Sequence, residues 1–228
     1  GCRHRVPGSG DLECQRRARA EGHMPTPDLA STRPMWPWGH AAVGYLLYAG
    51  SRRVRGGGPA HGTAPTAVTD AQVLALAVGT QLPDLIDKPL AWQFDVLPNG
   101  RSAGHSLIVF ALLAVGAWLV FGRTDRRGPL GAFGLGYLSH LGTDGLYPAL
   151  SGSFSKLGYL GYPLVPPVEY PPIEGGFVAH LFALEFGATG VFELGLALVA
   201  FLVWYADGMP GLRALLPDRF GETDKPPE

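Results

Sequence analysis

The sequence has few charged residues and almost no cysteine. Asp, Glu, Lys and Arg make up 16% of the 228 residues, whereas a soluble domain typically has about 25%. The formal net charge of -1 excludes the strongly basic surface that nucleic acid requires. Both cysteines, Cys2 and Cys14, lie at the start of the chain. A metal site in the remainder must therefore be built from His, Asp and Glu, and disulfides are not expected to matter.

Hydrophobic residues and glycine are abundant instead. Hydrophobic residues account for 46% of the chain, which also has 33 glycines, and small residues let membrane helices approach closely. Apolar runs occur at about 36–50, 67–82, 105–122, 129–147 and 180–206. A span needs about 20 residues, so the last three runs are long enough, and the first two require tilting or a thinner bilayer. We predict an all-α, multi-pass membrane helix bundle of about five segments.

The two ends of the chain differ from this apolar region. Residues 1–34 contain six arginines and no apolar run, so they lack the core of a signal peptide. We interpret them as a disordered basic tail or a misassigned start, with Met35 as the initiator. Residues 35–208 are predicted to form a single membrane helical domain, and residues 209–228 a polar C-terminal tail.

Arginines in the connecting loops predict an orientation. They follow the first, third and fifth apolar runs, and alternating segments place all three groups on one side, which the positive-inside rule makes cytoplasmic. The groups are Arg52, Arg53 and Arg55, then Arg123, Arg126 and Arg127, and finally Arg213. The opposite, extracytoplasmic side then receives His40, Asp84, Asp87, His105, His140 and Asp144.

The stretch "QLPDLIDKP" places Asp84 and Asp87 three residues apart. Pro83 and Pro89 flank them, so the backbone is expected to leave the helical conformation here. Two carboxylates so close repel each other unless a cation or a shared proton lies between them. The pair is therefore interpreted as metal ligands or, alternatively, as solvated caps of a helix end.

The stretch "SHLGTD" places His140 and Asp144 four residues apart, on one face of a helix. A helix that presents two ligands to a divalent metal uses such spacing, and an unpaired carboxylate inside an apolar segment is costly. The alternative is a buried His–Asp hydrogen bond that ties helices together.

The stretch "NGRSAGHS" combines a turn with the start of a helix. Arg101 is suited to bind a phosphate or a carboxylate with two hydrogen bonds. Ser106 is expected to cap the helix or to donate to the site. Glu193, in the fifth apolar run, is expected to face the bundle interior.

Four motifs in order, "WGHAAVGYLLY", "GTQLPDLIDKP", "RSAGHSLI" and "GYLSHLGTD", resemble the YdjM-like, membrane-bound metal-dependent hydrolase family, also described as LexA-binding inner-membrane-associated hydrolases. The resemblance covers about residues 36–147. The chain departs from the family pattern at the second motif. There Asp87 lies one residue later than the second aspartate of the Pro-Asp-x-Asp pattern, and Lys88 follows it. The residues that match the family pattern are His40, Pro83, Asp84, Arg101, His105, Ser106, His140 and Asp144.

A second resemblance is to membrane phosphatidic-acid phosphatases. "RSAGHS" and "HLGTD" are similar to two of their elements. The Lys…Arg-Pro motif of those enzymes is absent, and no arginine precedes His140 at the required distance. A metal-independent phosphatase therefore stays as an alternative, together with a non-enzymatic scaffold or transport-related bundle.

The first resemblance implies a hydrolase that uses a divalent metal ion. Zinc is the expected ion, with manganese or iron as alternatives, because mixed His/Asp sites without thiolates suit all three. Asp87 is also a candidate proton acceptor, and Arg101 is expected to hold the anionic part of a lipid or lipid-linked phosphoester at the membrane surface. The candidate metal ligands are His40, Asp84, Asp87, His105, His140 and Asp144.

Overall fold

The computed structural model describes residues 35–55, 68–121, 127–166 and 187–215, and within these ranges the fold is entirely helical. The tail predicted at 1–34 lies outside the described residues. The helices are α1 (Pro37–Arg55), α2 (Asp70–Trp92), α3 (Leu107–Phe121), α4 (Arg127–Leu150), a 3₁₀ helix (Phe154–Gly161), α5 (Ala188–Ala206) and α6 (Leu212–Leu215).

Helices α2 and α4 form the most extensive contact of the bundle. Two glycines make this close approach possible. A Cβ atom on Gly79 of α2 would lie 2.3 Å from the carbonyl oxygen of Phe133, and one on Gly136 of α4 would lie 2.5 Å from that of Leu76. Because neither helix carries a side chain at these points, the two backbones pack directly, which small residues at a helix–helix contact allow. The polar residues one to two turns further along are thereby brought together.

Helix α1 packs against α2, α4 and α5. The buried apolar cluster lies near its C-terminal half and includes Tyr45, Tyr48 and Ala49 of α1, Leu76 of α2 and Ala132 of α4. The candidate ligands lie toward the other end of the same helices, which separates an apolar end of the bundle from a polar one.

The expectation that Pro83 and Pro89 end the second segment was wrong. Helix α2 continues through both prolines to Trp92, so Asp84 and Asp87 lie within the helix and not beyond its end. A proline inside a helix costs about 3 kcal/mol, but Asp87 is buried and bonded to the loop before α3, and the buried Asp84 lies 3.5 Å from His105 Nε2 of that loop. Tertiary contacts therefore outweigh the local preference.

Among the described helices, one is long and apolar enough to cross a membrane: α5, through its segment Thr189–Ala206. Helix α3 (Leu107–Phe121) is also apolar but shorter. The fourth run, predicted to span by length, forms the 24-residue helix α4, but its glycines and polar residues lower its hydropathy. Helix α3 has no buried residue, and side chains such as Leu112 and Trp118 are more than two-thirds exposed. Exposed apolar surface of this extent marks an interaction surface for protein or membrane.

The described part of the predicted C-terminal tail is structured. Helix α6 follows a turn in which the Gly211 N–H donates to Asp70 Oδ1 at 2.6 Å, and the Trp204 indole donates to the Pro210 carbonyl at 2.9 Å. The remaining residues, 216–228, lie outside the described part.

Candidate metal centre

Five ligand-type side chains meet inside the polar end of the bundle. They come from α1, α2, the loop before α3, and α4, and all five are buried; His105 and His140 are 0% exposed. The five residues are His40, Asp84, His105, His140 and Asp144. Four of them, all except His40, offer ligand atoms that lie within 4.8 Å of one another.

The rings of His105 and His140 are both oriented by hydrogen bonds at Nδ1. His105 Nδ1 lies 2.8 Å from Asp87 Oδ2, and His140 Nδ1 lies 2.7 Å from the carbonyl oxygen of Thr80. Because a carboxylate and a carbonyl can only accept, both Nδ1 atoms donate. In the neutral imidazole each Nε2 then carries a lone pair, and the two Nε2 atoms face each other at 3.1 Å.

His40 is oriented in the same way by a hydroxyl group. Its Nδ1 lies 2.8 Å from Thr143 Oγ1. The single hydroxyl proton of Thr143 is directed to the carbonyls of Ser139 and His140, at 3.0 and 2.9 Å. Thr143 Oγ1 therefore accepts from His40, and the lone pair of His40 is at Nε2. That atom is buried, has no hydrogen-bond partner among the described residues, and lies 3.7 Å from Asp144 Oδ1.

The spacing of the inner atoms fits a bound cation. His105 Nε2 lies 3.2 Å from Asp144 Oδ2 and 3.5 Å from Asp84 Oδ1, and His140 Nε2 lies 3.7 Å from Asp84 Oδ1. Metal bonds of about 2.0–2.2 Å place neighbouring ligand atoms about 3–3.6 Å apart. Three imidazole lone pairs and two carboxylates converging at these distances in a buried space repel one another, so the donor set fits a divalent metal ion.

The carboxylates of Asp84 and Asp144 each also bind a basic side chain. Lys88 Nζ donates to Asp84 Oδ2 at 2.5 Å, one turn along α2. Arg101 donates from Nε and Nη2 to the two oxygens of Asp144, at 2.8 and 3.0 Å. With Asp87 included, three carboxylates face two cations, so the cluster has a net charge of -1 when its histidines are neutral. A divalent cation would reverse that sign, which lowers the cost of burying the carboxylates.

Asp87 serves the loop before α3. Its two oxygens accept from the backbone N–H groups of Ser102, Gly104 and His105, at 2.6, 2.7 and 3.1 Å, as well as from the His105 ring. Gly104 is needed here because a Cβ atom would lie 2.7 Å from the Pro83 carbonyl oxygen. Asp87 thus lies outside the group of mutually close ligand atoms and fixes the loop and the ring of His105.

The model of the YdjM inner membrane protein family matches residues 35–209, which is most of the chain. The chain belongs to the YdjM inner membrane protein family. No curated protein and no solved structure matches it significantly.

One motif residue of this YdjM-family chain, Arg101, has a partner other than the one expected, whereas Ser106 takes one of its two expected roles. Arg101, predicted to bind a substrate anion, binds the carboxylate of Asp144. Ser106 accepts from the N–H groups of Ile108 and Val109, at 3.1 and 3.2 Å, and so caps helix α3. The predicted roles of Arg101 and Asp87 in catalysis stay predictions.

Glu193 faces the interior, as the sequence indicated. It is 3% exposed, and its Oε2 accepts from the Trp36 N–H at 2.9 Å. Trp36 directly precedes α1, so this bond from α5 fixes the start of the helix that carries His40.

Sequence reasoning missed three residues of the YdjM-family site. Thr143 and Thr80 orient His40 and His140, and Tyr159 of the 3₁₀ helix meets the His105 ring edge-on, with ring centroids 6.0 Å apart. The Tyr159 hydroxyl donates to the Leu141 carbonyl at 3.4 Å. Only Thr143 had a signal in the sequence, because it stands between His140 and Asp144 on the same polar stretch. The contacts of Thr80 and Tyr159 depend on tertiary packing.

Proposed function

We propose that this YdjM-family protein is a membrane-embedded, metal-dependent hydrolase that acts on a lipid or lipid-linked phosphoester. The observation that supports it best is that three histidine Nε2 atoms and two carboxylates face the same buried space. The Nδ1 atom of each of these histidines forms a hydrogen bond on the side of the ring away from that space. Metal-binding histidines have this arrangement, in which an outer acceptor fixes the ring and its tautomer.

The proposed ligands are His40, His105, His140, Asp84 and Asp144. Zinc is the first choice and manganese or iron the alternatives, since imidazole and carboxylate donors suit these ions. When bound, the ion would supply Lewis acidity and lower the pKa of a coordinated water toward about 7.

The chain's own residues have distinct proposed roles. A catalytic zinc keeps three protein ligands and a water, so five donors would leave one carboxylate, Asp84 or Asp144, available to accept a proton from that water. We assign this role to Asp84, because the four hydrogen bonds to Asp87 occupy both of its oxygens. Lys88, adjacent to Asp84, is placed to attract the anionic group of a phosphoester, and Arg101 holds Asp144 in place.

The membrane arrangement is part of the proposal. Exposed apolar side chains on α3 and α5 and membership of an inner membrane family support a multi-pass bundle. Arg52, Arg53 and Arg127 lie at the opposite end of the helices from the centre, and the positive-inside rule favours a cytoplasmic position for that end. The metal centre would then lie toward the extracytoplasmic side, where lipid headgroups are its neighbours.

Bound metal is the first test. The purified wild-type protein, analysed for metal by elemental analysis, is expected to contain one or more divalent ions, and His140→Ala and Asp144→Ala are expected to lose them. Asp207→Asn is the matched control, because it removes an ion-paired carboxylate at the other end of the bundle. A metal-free wild-type protein that also takes up no zinc or manganese would refute the centre.

Phosphate release from phosphatidic acid in detergent micelles tests the hydrolase. Activity is expected to disappear with a chelator and to return with zinc or manganese. Activity that persists without metal would favour the metal-independent phosphatase.

A structural metal centre is the second candidate, favoured by the complete burial of His105 and His140. Such a centre would tie α1, α2, α4 and the loop before α3 together. In that case chelation is expected to lower the unfolding temperature, while no lipid phosphoester is hydrolysed at any metal concentration.

A further inference from the structure

A long groove lies between α1 and α4, separate from the metal ligands. Its volume is about 990 Å³, at the upper end of the range for ligand-binding pockets. Apolar side chains line both walls, among them Leu47 of α1 and Leu138 and Leu146 of α4, each close to half exposed. The groove therefore offers apolar surface that the described residues leave uncovered.

Two glycines of α4 border the groove at points where no other described residue lies close to them. A Cβ atom added at Gly131 or Gly142 would meet nothing within 4 Å, although both residues line the groove. By contrast, Gly79 and Gly136 are glycine because the partner backbone lies against them. The space at Gly131 and Gly142 is thus available to an occupant from outside these helices.

Two basic side chains lie at one end of the groove. They are Arg52 of α1 and Arg127 of α4, and the described lining contains no acidic residue. At the other end the lining reaches Thr143. Arg127 and Thr143 are 16 positions apart on α4, which corresponds to about 24 Å at a rise of 1.5 Å per residue. This exceeds half of a hydrocarbon core of about 30 Å, so the groove is long enough for an acyl chain below a charged headgroup.

We propose that an anionic phospholipid binds in this groove, with its phosphate at Arg52 and Arg127 and an acyl chain along Gly131 and Gly142. Charge complementarity selects the headgroup, because basic residues near the membrane surface attract anionic lipids. The apolar walls accept the chain. The proposal does not rest on the metal centre, since none of these four residues is a proposed ligand, and loss of metal leaves it standing.

Native mass spectrometry of the full chain in detergent tests the proposal with two lipids of identical chains, dioleoylphosphatidylglycerol and dioleoylphosphatidylcholine. The wild type is expected to bind the anionic lipid about tenfold more tightly. Arg52→Gln combined with Arg127→Gln is expected to abolish that preference. Gly131→Leu combined with Gly142→Leu is expected to weaken the binding of both lipids, because the new side chains fill the groove.

Two other glycines provide matched controls. A Cβ atom at Gly116 of α3 or Gly195 of α5 would also meet nothing within 4 Å, and neither residue lines the groove. Gly116→Leu and Gly195→Leu are expected to bind both lipids as the wild type does. Circular dichroism and gel filtration establish that each variant is folded.

Either of two results would overturn the proposal. One is equal binding of the two lipids by the wild type, which would show that the arginines select no headgroup. The other is wild-type lipid binding by the folded leucine variant, which would show that the lipids bind elsewhere and would leave the groove to another segment of the chain or to a second copy.

Discussion

Two Arg–Asp pairs in the described part of the chain have the same chemistry and different surroundings. Arg101 and Asp144 lie at the metal-centre end, with side chains 13% and 2% exposed, whereas Arg53 and Asp207 lie at the other end, 52% and 18% exposed. His40 and Arg53 are 13 positions apart on α1, so about 20 Å separates the two levels of the bundle. Only the buried pair has histidine nitrogens beside its carboxylate.

The comparison illustrates how burial changes both the net stability that an ion pair contributes and the cost of removing one partner. An exposed pair contributes about 0.2–1 kcal/mol, and Asp207 adds a 2.8 Å hydrogen bond from the Tyr45 hydroxyl. A buried pair contributes little net stability, but removing one partner leaves an uncompensated charge. The two hydrogen bonds from Arg101 therefore fix Asp144 beside His105, which the proposed ligand role requires.

The largest effect is expected for Asp144→Asn. This change removes a proposed ligand and the charge that Arg101 binds at a site where the carboxylate is buried, so we expect loss of the metal and destabilisation of up to about 3–5 kcal/mol. Elemental analysis and thermal unfolding in detergent measure both quantities. Asp207→Asn, its counterpart at the exposed pair, is expected to keep the metal; equal losses in the two variants would contradict the comparison.

The next largest effect is expected for Arg101→Gln, which leaves the charge of Asp144 buried. Its unfolding temperature should fall more after chelation than with metal bound, because a divalent ion partly replaces the missing cation. Arg101→Lys should fall less than Arg101→Gln, since one ammonium group restores the charge but not the two-bond geometry. A glutamine variant as stable as the wild type would show that the pair is not needed.

A smaller effect is expected for Asp87→Asn, which keeps every proposed ligand. The amide cannot accept the bonds that both carboxylate oxygens accept now, so His105 loses its fixed orientation. Loss of such an outer partner lowers metal affinity by about 10–100-fold, which competition with a zinc-binding dye measures. Glu193→Gln, which preserves the acceptor for the Trp36 N–H, serves as the control and should bind zinc as the wild type does.

The smallest effect is expected for Arg53→Gln at the exposed pair. The free energy of unfolding should fall by no more than about 1 kcal/mol, and high salt should remove part of the difference because exposed pairs are screened. Metal content should not change. Metal loss in this variant would mean that the two ends of the bundle are coupled.

Periodicity and motif order predicted much of this structure. The five apolar runs correspond to α1 to α5, although the bounds moved, and the i, i+4 spacing of His140 and Asp144 placed both side chains on one buried face. The family resemblance was confirmed by the match over residues 35–209. These features depend on local pattern, which the sequence displays directly.

The rest depended on contacts between distant residues. The sequence did not indicate that α2 passes through Pro83 and Pro89, because the bonds that hold Asp87 in place come from residues of the loop before α3. The same holds for Arg101, which met a carboxylate 43 positions away in its own chain. Sequence patterns identified which residues carry chemistry, but not which of them face the cation and which orient a neighbour.

Thr143 belongs to two features at once. Its hydroxyl fixes the ring of His40, and the same residue lines the groove between α1 and α4. An occupant that shifts this side chain changes the ring's orientation, and thermodynamic linkage requires that metal binding alter the occupant's affinity by the same factor. If both proposals hold, this threonine would couple lipid binding in the groove to metal binding at the histidines.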